Sequence, residues 1–149
     1  MPTVPAARRT RRRRNGDLAE RLAAEYLRGL GWTLIGADIV VGRDELDLLA
    51  VEPGGALARG VAAETLVFVE VRSHSTGLFG APEESVGPRK LRALYRAALG
   101  LVHAGALPDG TPLPSIPWRL DLLAVDLYPE LAEGAGGTRL RHLRGLTAE

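Results

Sequence analysis

The chain contains no cysteine. A disulfide framework and a thiolate metal centre are therefore both excluded. Lysine occurs once, at Lys90. The three histidines, His74, His103 and His142, fall in different segments, and no zinc-type cluster or Ser-His-Asp set is visible among them. No apolar run approaches the roughly 20 residues needed to span a bilayer. The N-terminal arginines are not followed by the apolar stretch of a secretory leader. The expectation is a soluble, cytoplasmic protein with no membrane partner.

What remains is enough for one domain. Of 149 residues, 46% are hydrophobic and 25% charged, near the averages for globular domains with a buried core. The net charge of +1 hides an asymmetry. Six of the 19 basic residues, Arg8, Arg9 and Arg11 to Arg14, form one run, leaving 13 against 18 acidic residues in the rest. Residues 1–14 read as a disordered basic N-terminal arm attracted to polyanions such as nucleic acid, with Arg11, Arg12, Arg13 and Arg14 as candidate contacts. Residues 15–149 read as the single domain.

Periodicity orders the elements. Leu18, Leu22, Tyr26 and Leu30, widened by Ala23 and Leu27, predict a first helix that Gly31 stops. Strands are expected at Trp32–Ile35, Glu45–Val51 and Leu66–Arg72, with a hairpin connection between the second and third. The third, Leu-Val-Phe-Val-Glu-Val-Arg, lacks polar alternation and suits a central strand covered on both faces. His74–Glu84 reads as a loop. A second helix starts near Pro88, with Leu91, Leu94, Ala98, Leu101 and Val102 as its buried stripe. After a proline-rich loop, Trp118–Leu127 predicts a strand parallel to the third. After the turn at Gly134–Gly137, Arg139–Leu146 predicts an edge strand whose arginines discourage further pairing. The fold class is α/β, in αβββαβ order, with a mixed sheet of four to five strands flanked by helices.

Two carboxylates stand where apolar residues would be less costly. Asp47 lies between Leu46 and Leu48, and Glu70 between Val69 and Val71. A buried, unpaired carboxylate costs several kcal/mol, of the order of 2–7, or gives up its charge. If the second and third strands pair, the two acids converge, and a divalent cation would relieve their repulsion. Oxygen-only ligands favour Mg²⁺ or Mn²⁺. The competing reading is an ion pair with Arg72, which shares a face with Glu70. Glu20, at the edge of the first helix's stripe, is a further candidate, as is Lys90 in the first turn of the second helix. Each also reads as a plain surface residue.

These residues resemble a known pattern. Gly16, Glu20, Ala23, Tyr26, Leu27 and Gly31 open it. Glu45-Leu46-Asp47-Leu48-Leu49 is similar to a family Gly-Glu-Ile-Asp-Leu-Ile. Val67-Phe68-Val69-Glu70-Val71-Arg72 follows, then Phe79-Gly80 with Pro82, Val86 and Lys90, and finally Arg119-Leu120-Asp121. The chain resembles the YraN-like bacterial proteins of the PD-(D/E)XK nuclease superfamily. That resemblance implies a restriction-endonuclease-like core similar to archaeal Holliday-junction resolvases, which are dimers. It implies metal binding by Asp47, Glu70 and the Val71 carbonyl, assistance from Glu20, and Arg72 facing the scissile phosphate. There are departures: Asp44 and Ala19 replace family glycines, His74 stands where a basic residue is frequent, and Arg72 replaces the superfamily's lysine. Arginine does not deprotonate in proteins, so Arg72 is no general base. It can still neutralise charge developing on phosphate.

The functional expectation is a metal-dependent nuclease acting on or binding DNA, of the junction-resolvase type, with a homodimer as the expected assembly. The alternatives are a catalytically silent nucleic-acid-binding domain and a purely structural module in which the acids and Arg72 form ion pairs.

Overall fold

The run Leu66-Val67-Phe68-Val69 offers no polar face, so a strand built from it has to be covered on both sides. In the computed structural model it is. The structure describes residues 11–54, 56–57, 60–61, 63–74, 86–127 and 139–147. Helix α1 (Arg11–Gly29) leads into strands β1 (Thr33–Val41) and β2 (Asp44–Glu52). A small hairpin of β3 (Ala56–Leu57) and β4 (Gly60–Val61) precedes β5 (Thr65–His74). Helix α2 (Pro88–Ala104) then leads to β6 (Trp118–Asp126) and β7 (Arg139–Arg144).

The five long strands form one sheet in the order β1-β2-β5-β6-β7. β1, β2 and β5 make an antiparallel meander, β6 joins β5 in parallel after the α2 crossover, and β7 closes the edge antiparallel to β6. The expected topology is therefore found, with β5 central. Its two faces feed two cores. Leu66 and Phe68 pack with Leu94, Ala98 and Leu101 of α2. Val67 and Val69 pack with Ala19, Ala23 and Leu27 of α1. Each of the larger side chains stabilises the fold by about 1.5–3 kcal/mol on burial.

Several boundaries differ from the sequence reading. α1 begins at Arg11, so residues 11–14, read as part of an unfolded arm, are helical. Arginine is a good helix former, and a propagating helix extends through it despite the like charges. Residues 1–10 lie outside the described residues. The buried stripe of α1 is centred on Ala19, Ala23 and Leu27, while Leu30 is exposed. Small residues let the helix approach the sheet closely. On α2, Ala97 is buried and Val102 is exposed. β1 runs six residues further than expected, to Val41, and does so irregularly. Its register slips between Leu34 and Gly36, and Asp38 adopts a left-handed φ of 49°. His74 ends β5 and is not part of a loop. The segment after it, including Phe79, Gly80 and Pro82, lies outside the described residues, as does the turn at 134–137. Among the described residues, no helix is long and apolar enough to cross a membrane.

Candidate functional site

The register of the sheet places the two embedded acids. Leu48 pairs with Val69 and Leu49 with Phe68. Extending that antiparallel register by one residue sets Asp47 opposite Glu70, one step past the last ladder pair. Val51 and Leu49 of β2, and Leu66 and Phe68 of β5, point toward α2. Glu70 continues the Leu66 and Phe68 row, since alternate residues of a strand share a face. The ladder gives way here: the Val71 N–H donates to Asp47 Oδ2 at 2.8 Å. Leu46 and Leu49, three residues apart, both belong to the α2-side core, so the alternation of β2 slips at Asp47. The site thus lies where the β2–β5 pairing ends.

The electrostatics are those of two acids competing for one proton. Burial pushes the Glu70 carboxyl up, and the neighbouring Asp47 charge pushes it further, to about 7, against the pull of Lys90 and Arg72. Burial also raises Asp47, opposed by the Val71 N–H and by a hydrogen bond from Glu70. A proton shared within the pair therefore rests on Glu70. Glu70 is 6% exposed, and its Oε2 has no hydrogen-bond partner. Arg72 Nε stands 3.6 Å from Glu70 Oε1 and is itself buried without a hydrogen bond. Lys90 Nζ stands 3.7 Å from Glu70 Oε2. Both contacts are too long for charge-assisted hydrogen bonds. The arginine flanks the acid pair without satisfying it.

Glu20 approaches from the opposite layer. Burial raises its carboxyl, and a hydrogen bond with Asp38 and the charge of Asp47 raise it further, to about 8. Asp38 was not singled out in the sequence. It sits inside an irregular strand, and only its left-handed backbone, a conformation that Asp tolerates better than most residues, marks it. An open cleft of about 300 Å³ lies beside these two acids, bounded also by Asp17, Arg21, Leu34 and Ala37. Asp38, Glu20, Asp47 and Glu70 thus form an electrostatically linked series running from β1 through α1 to the centre of the sheet. Even so, among the described residues no three His, Asp or Glu side chains converge tightly enough to enclose a metal as they stand. The pair Asp47 and Glu70 is the nucleus; Glu20 lies further out. Val71, expected to offer its carbonyl, contributes its N–H to Asp47. Arg11 to Arg14 belong to the first turns of α1, and their side chains lie outside the described residues.

A second polar cluster lies toward the other end of the sheet. Asp121 is fully buried. Its Oδ1 accepts from Arg119 Nε at 2.8 Å and from the Gly145 N–H at 3.0 Å, and its Oδ2 lies 2.8 Å from His142 Nε2. His142 Nδ1 in turn meets the Tyr26 hydroxyl at 3.0 Å. Arg119 and Arg144 both bind Glu52 and lie over the Trp32 ring. Burial pushes Asp121 up, but the bonds from His142, Arg119 and Gly145 outweigh it and hold the carboxyl below the usual range. This is a satisfied structural network. His142, with no role visible in the sequence, is one of its members.

The model of the family described as Uncharacterised protein family UPF0102 matches residues 19–125. A UPF0102 protein of Dehalococcoides mccartyi is 34% identical over 116 residues, covering 78% of this chain and 83% of its own. One from Deinococcus radiodurans is 34% identical over 126 residues, covering 85% and 88%. One from an Arthrobacter species is 29% identical over 131 residues, covering 88% and 93%. The chain belongs to the UPF0102 family.

Proposed function

We propose that this UPF0102 protein is a divalent-metal-dependent nuclease with a restriction-endonuclease-like core of the PD-(D/E)XK type, hydrolysing phosphodiester bonds in DNA. The observation that carries the reading is the meeting of Asp47 and Glu70 across the end of the β2–β5 ladder, with Glu70 Oε2 buried and without a hydrogen bond. Such a pair is costly in water-free surroundings, and a doubly charged cation removes that cost. Asp47 and Glu70 would hold Mg²⁺ or Mn²⁺, with the Val71 carbonyl as a further oxygen donor. An ion held there would supply Lewis acidity to the phosphate and to the attacking water.

The protein's own groups have separable tasks. Arg72 stabilises the extra negative charge on the phosphate as the water oxygen bonds to phosphorus. One P–O ester bond then breaks; the attacking water gives up a proton to solvent and the departing oxygen takes one up, so that one water is consumed for each bond cut. Lys90 holds Glu70 toward its charged form and offers a second cation to the phosphate. Glu20, with a carboxyl raised to about 8, lines the cleft on the α1 side, where it would bind a water or a second ion.

The second reading is a DNA-binding domain without turnover. It is favoured by Arg72 at the superfamily's lysine position and by the lack of a third converging acid among the described residues. Calorimetric titration with Mn²⁺ tests the site: binding by the wild type and its loss in Asp47→Asn and Glu70→Gln is expected. Cleavage assays on junction, flap and single-stranded DNA separate the two readings. Metal binding without cleavage of any substrate selects the second, and cleavage that survives both substitutions refutes the first.

A further inference from the structure

Helix α2 contains no acidic residue along its 17 positions, yet it carries Arg89, Lys90, Arg92 and Arg96. Surface helices normally mix both signs, and their first turns favour acids that complement the helix dipole. Here the first turn has none, and the N-cap, Gly87, makes no side-chain cap bond. Two of the four cations are already engaged. Arg96 grips Asp44 through Nε and Nη2, both at 2.9 Å. Lys90 faces Glu70, whose buried Oε2 is without a hydrogen bond. Arg89 and Arg92 are exposed, and among the described residues neither forms an ion pair.

We infer that the first turns of α2, through Arg89, Lys90 and Arg92, form the surface that holds the sugar-phosphate backbone of a nucleic acid beside Asp47 and Glu70. This rests on the nuclease reading and adds the path of the polymer, for which the sequence offered Lys90 and Arg11 to Arg14 as contacts. Arg89 and Arg92 are three residues apart, neighbours about 5–6 Å apart on one helix face. Lys90, next to Arg89 in the same turn, reaches to 3.7 Å from Glu70 Oε2. A backbone held by the two arginines therefore lies against the same turns of α2 from which Lys90 reaches the acid pair. No carboxylate on α2 interrupts that path or repels the polymer. Charge complementarity selects a polyanion with regularly spaced phosphates, for which Arg has the matching fork of donors.

The test is the salt dependence of binding, measured by fluorescence anisotropy with a labelled 30-base-pair DNA duplex in EDTA. The full chain is titrated from about 50 to 300 mM KCl, and metal chemistry plays no part. The double variant Arg89→Gln/Arg92→Gln is expected to bind at least about tenfold more weakly at 100 mM salt. Its log–log slope should be shallower by about 2, since each phosphate contact contributes about 0.9. Arg89→Lys/Arg92→Lys should keep the wild-type slope, which shows that charge and not folding is read. Glu70→Gln should bind DNA with an undiminished slope while losing Mn²⁺ affinity, which separates this inference from the metal site. An unchanged slope in the Gln double variant, with the loss appearing instead in a variant neutralised at Arg11 to Arg14, overturns the proposal and leaves the metal site standing. Equal competition by polyglutamate overturns the assignment to nucleic acid in favour of an acidic protein.

Discussion

Replacing Glu70 by Gln should make the ion-free protein more stable in mild alkali. Burial and Asp47 raise the Glu70 carboxyl from 4.5 to about 7. In the folded state it therefore binds its proton more tightly than in the unfolded chain. Its contribution is fully present below pH 4.5 and is lost as pH rises through about 7. A difference of that size corresponds to about 3 kcal/mol at 1.36 kcal/mol per pH unit. Glutamine has the shape of the neutral acid and never ionises, so Glu70→Gln should match the wild type near pH 5 and exceed it by about 3 kcal/mol at pH 8.5. For a domain of this size that is about 10 °C in Tm. The assay is thermal denaturation in EDTA at several pH values, repeated with Mn²⁺. In the wild type, a cation bound only by the native state should restore about 2.7 kcal/mol at a hundredfold excess over Kd, and it should restore nothing in the variant. The fall that Glu20 imposes as it titrates near 8 remains in both proteins and serves as an internal reference. Parallel pH profiles for wild type and variant between pH 5 and 8.5 would refute the reasoning, because Glu70 would then not be a buried acid lacking its cation.

Four further substitutions separate structure from chemistry. Asp47→Ala removes the acceptor of the Val71 N–H and should cost about 1–3 kcal/mol in denaturant unfolding. Asp47→Asn keeps an acceptor oxygen and should fold normally while failing to bind Mn²⁺ in calorimetry. Arg72→Gln should retain Mn²⁺ binding but slow cleavage about 100- to 1000-fold in single-turnover assays, the usual effect of losing one donor to a developing oxyanion. Asp121→Ala should destabilise the fold by about 3–5 kcal/mol in urea at pH 7, because Arg119 and His142 lose a buried partner. The stability that Asp121 supplies is present above its unfolded value of 3.8 and disappears only as pH falls through its lower folded value.

The sequence made the sheet legible where local pattern and burial agree. Leu66–Arg72 had no polar face and proved to be the central strand, and the arginines of Arg139–Leu146 proved to line an edge. Legibility failed where tertiary approach overrides local pattern. Ala19 and Ala23 pack more tightly than Leu30 because a helix on a sheet rewards small residues at the line of contact. β1 was expected to end at Ile35. A side chain at Gly36 would meet Ile39 at 3.0 Å and Leu107 at 3.3 Å, so the strand continues only by giving up a side chain there. The convergence of Asp47 and Glu70 was readable from strand adjacency. The arrival of Lys90 from α2 and of Asp38 from β1 was not, since neither spacing nor charge fixes how a crossover helix or an irregular edge strand is set against the sheet.

The deepest ambiguity concerned two acids that look alike in sequence. Asp121 lies between Leu120 and Leu122, as Glu70 lies between Val69 and Val71, and both are buried in neighbouring parallel strands. Their surroundings pull them in opposite directions. Asp121 receives two guanidinium bonds, a backbone amide and an imidazole contact, which together hold its carboxyl below the usual range. Glu70 meets one arginine and one lysine at distances too long to satisfy it, faces a second carboxyl, and keeps one oxygen without a hydrogen bond. Satisfaction of lone pairs, not burial, is what separates a structural carboxylate from one that still seeks a ligand. A protein stabilised by ion pairing alone would have treated Glu70 as it treats Asp121, and the materials were at hand in Arg72 and Lys90. That both stop short of hydrogen-bond distance leaves the acid pair available to a cation, and their charge available to a phosphate.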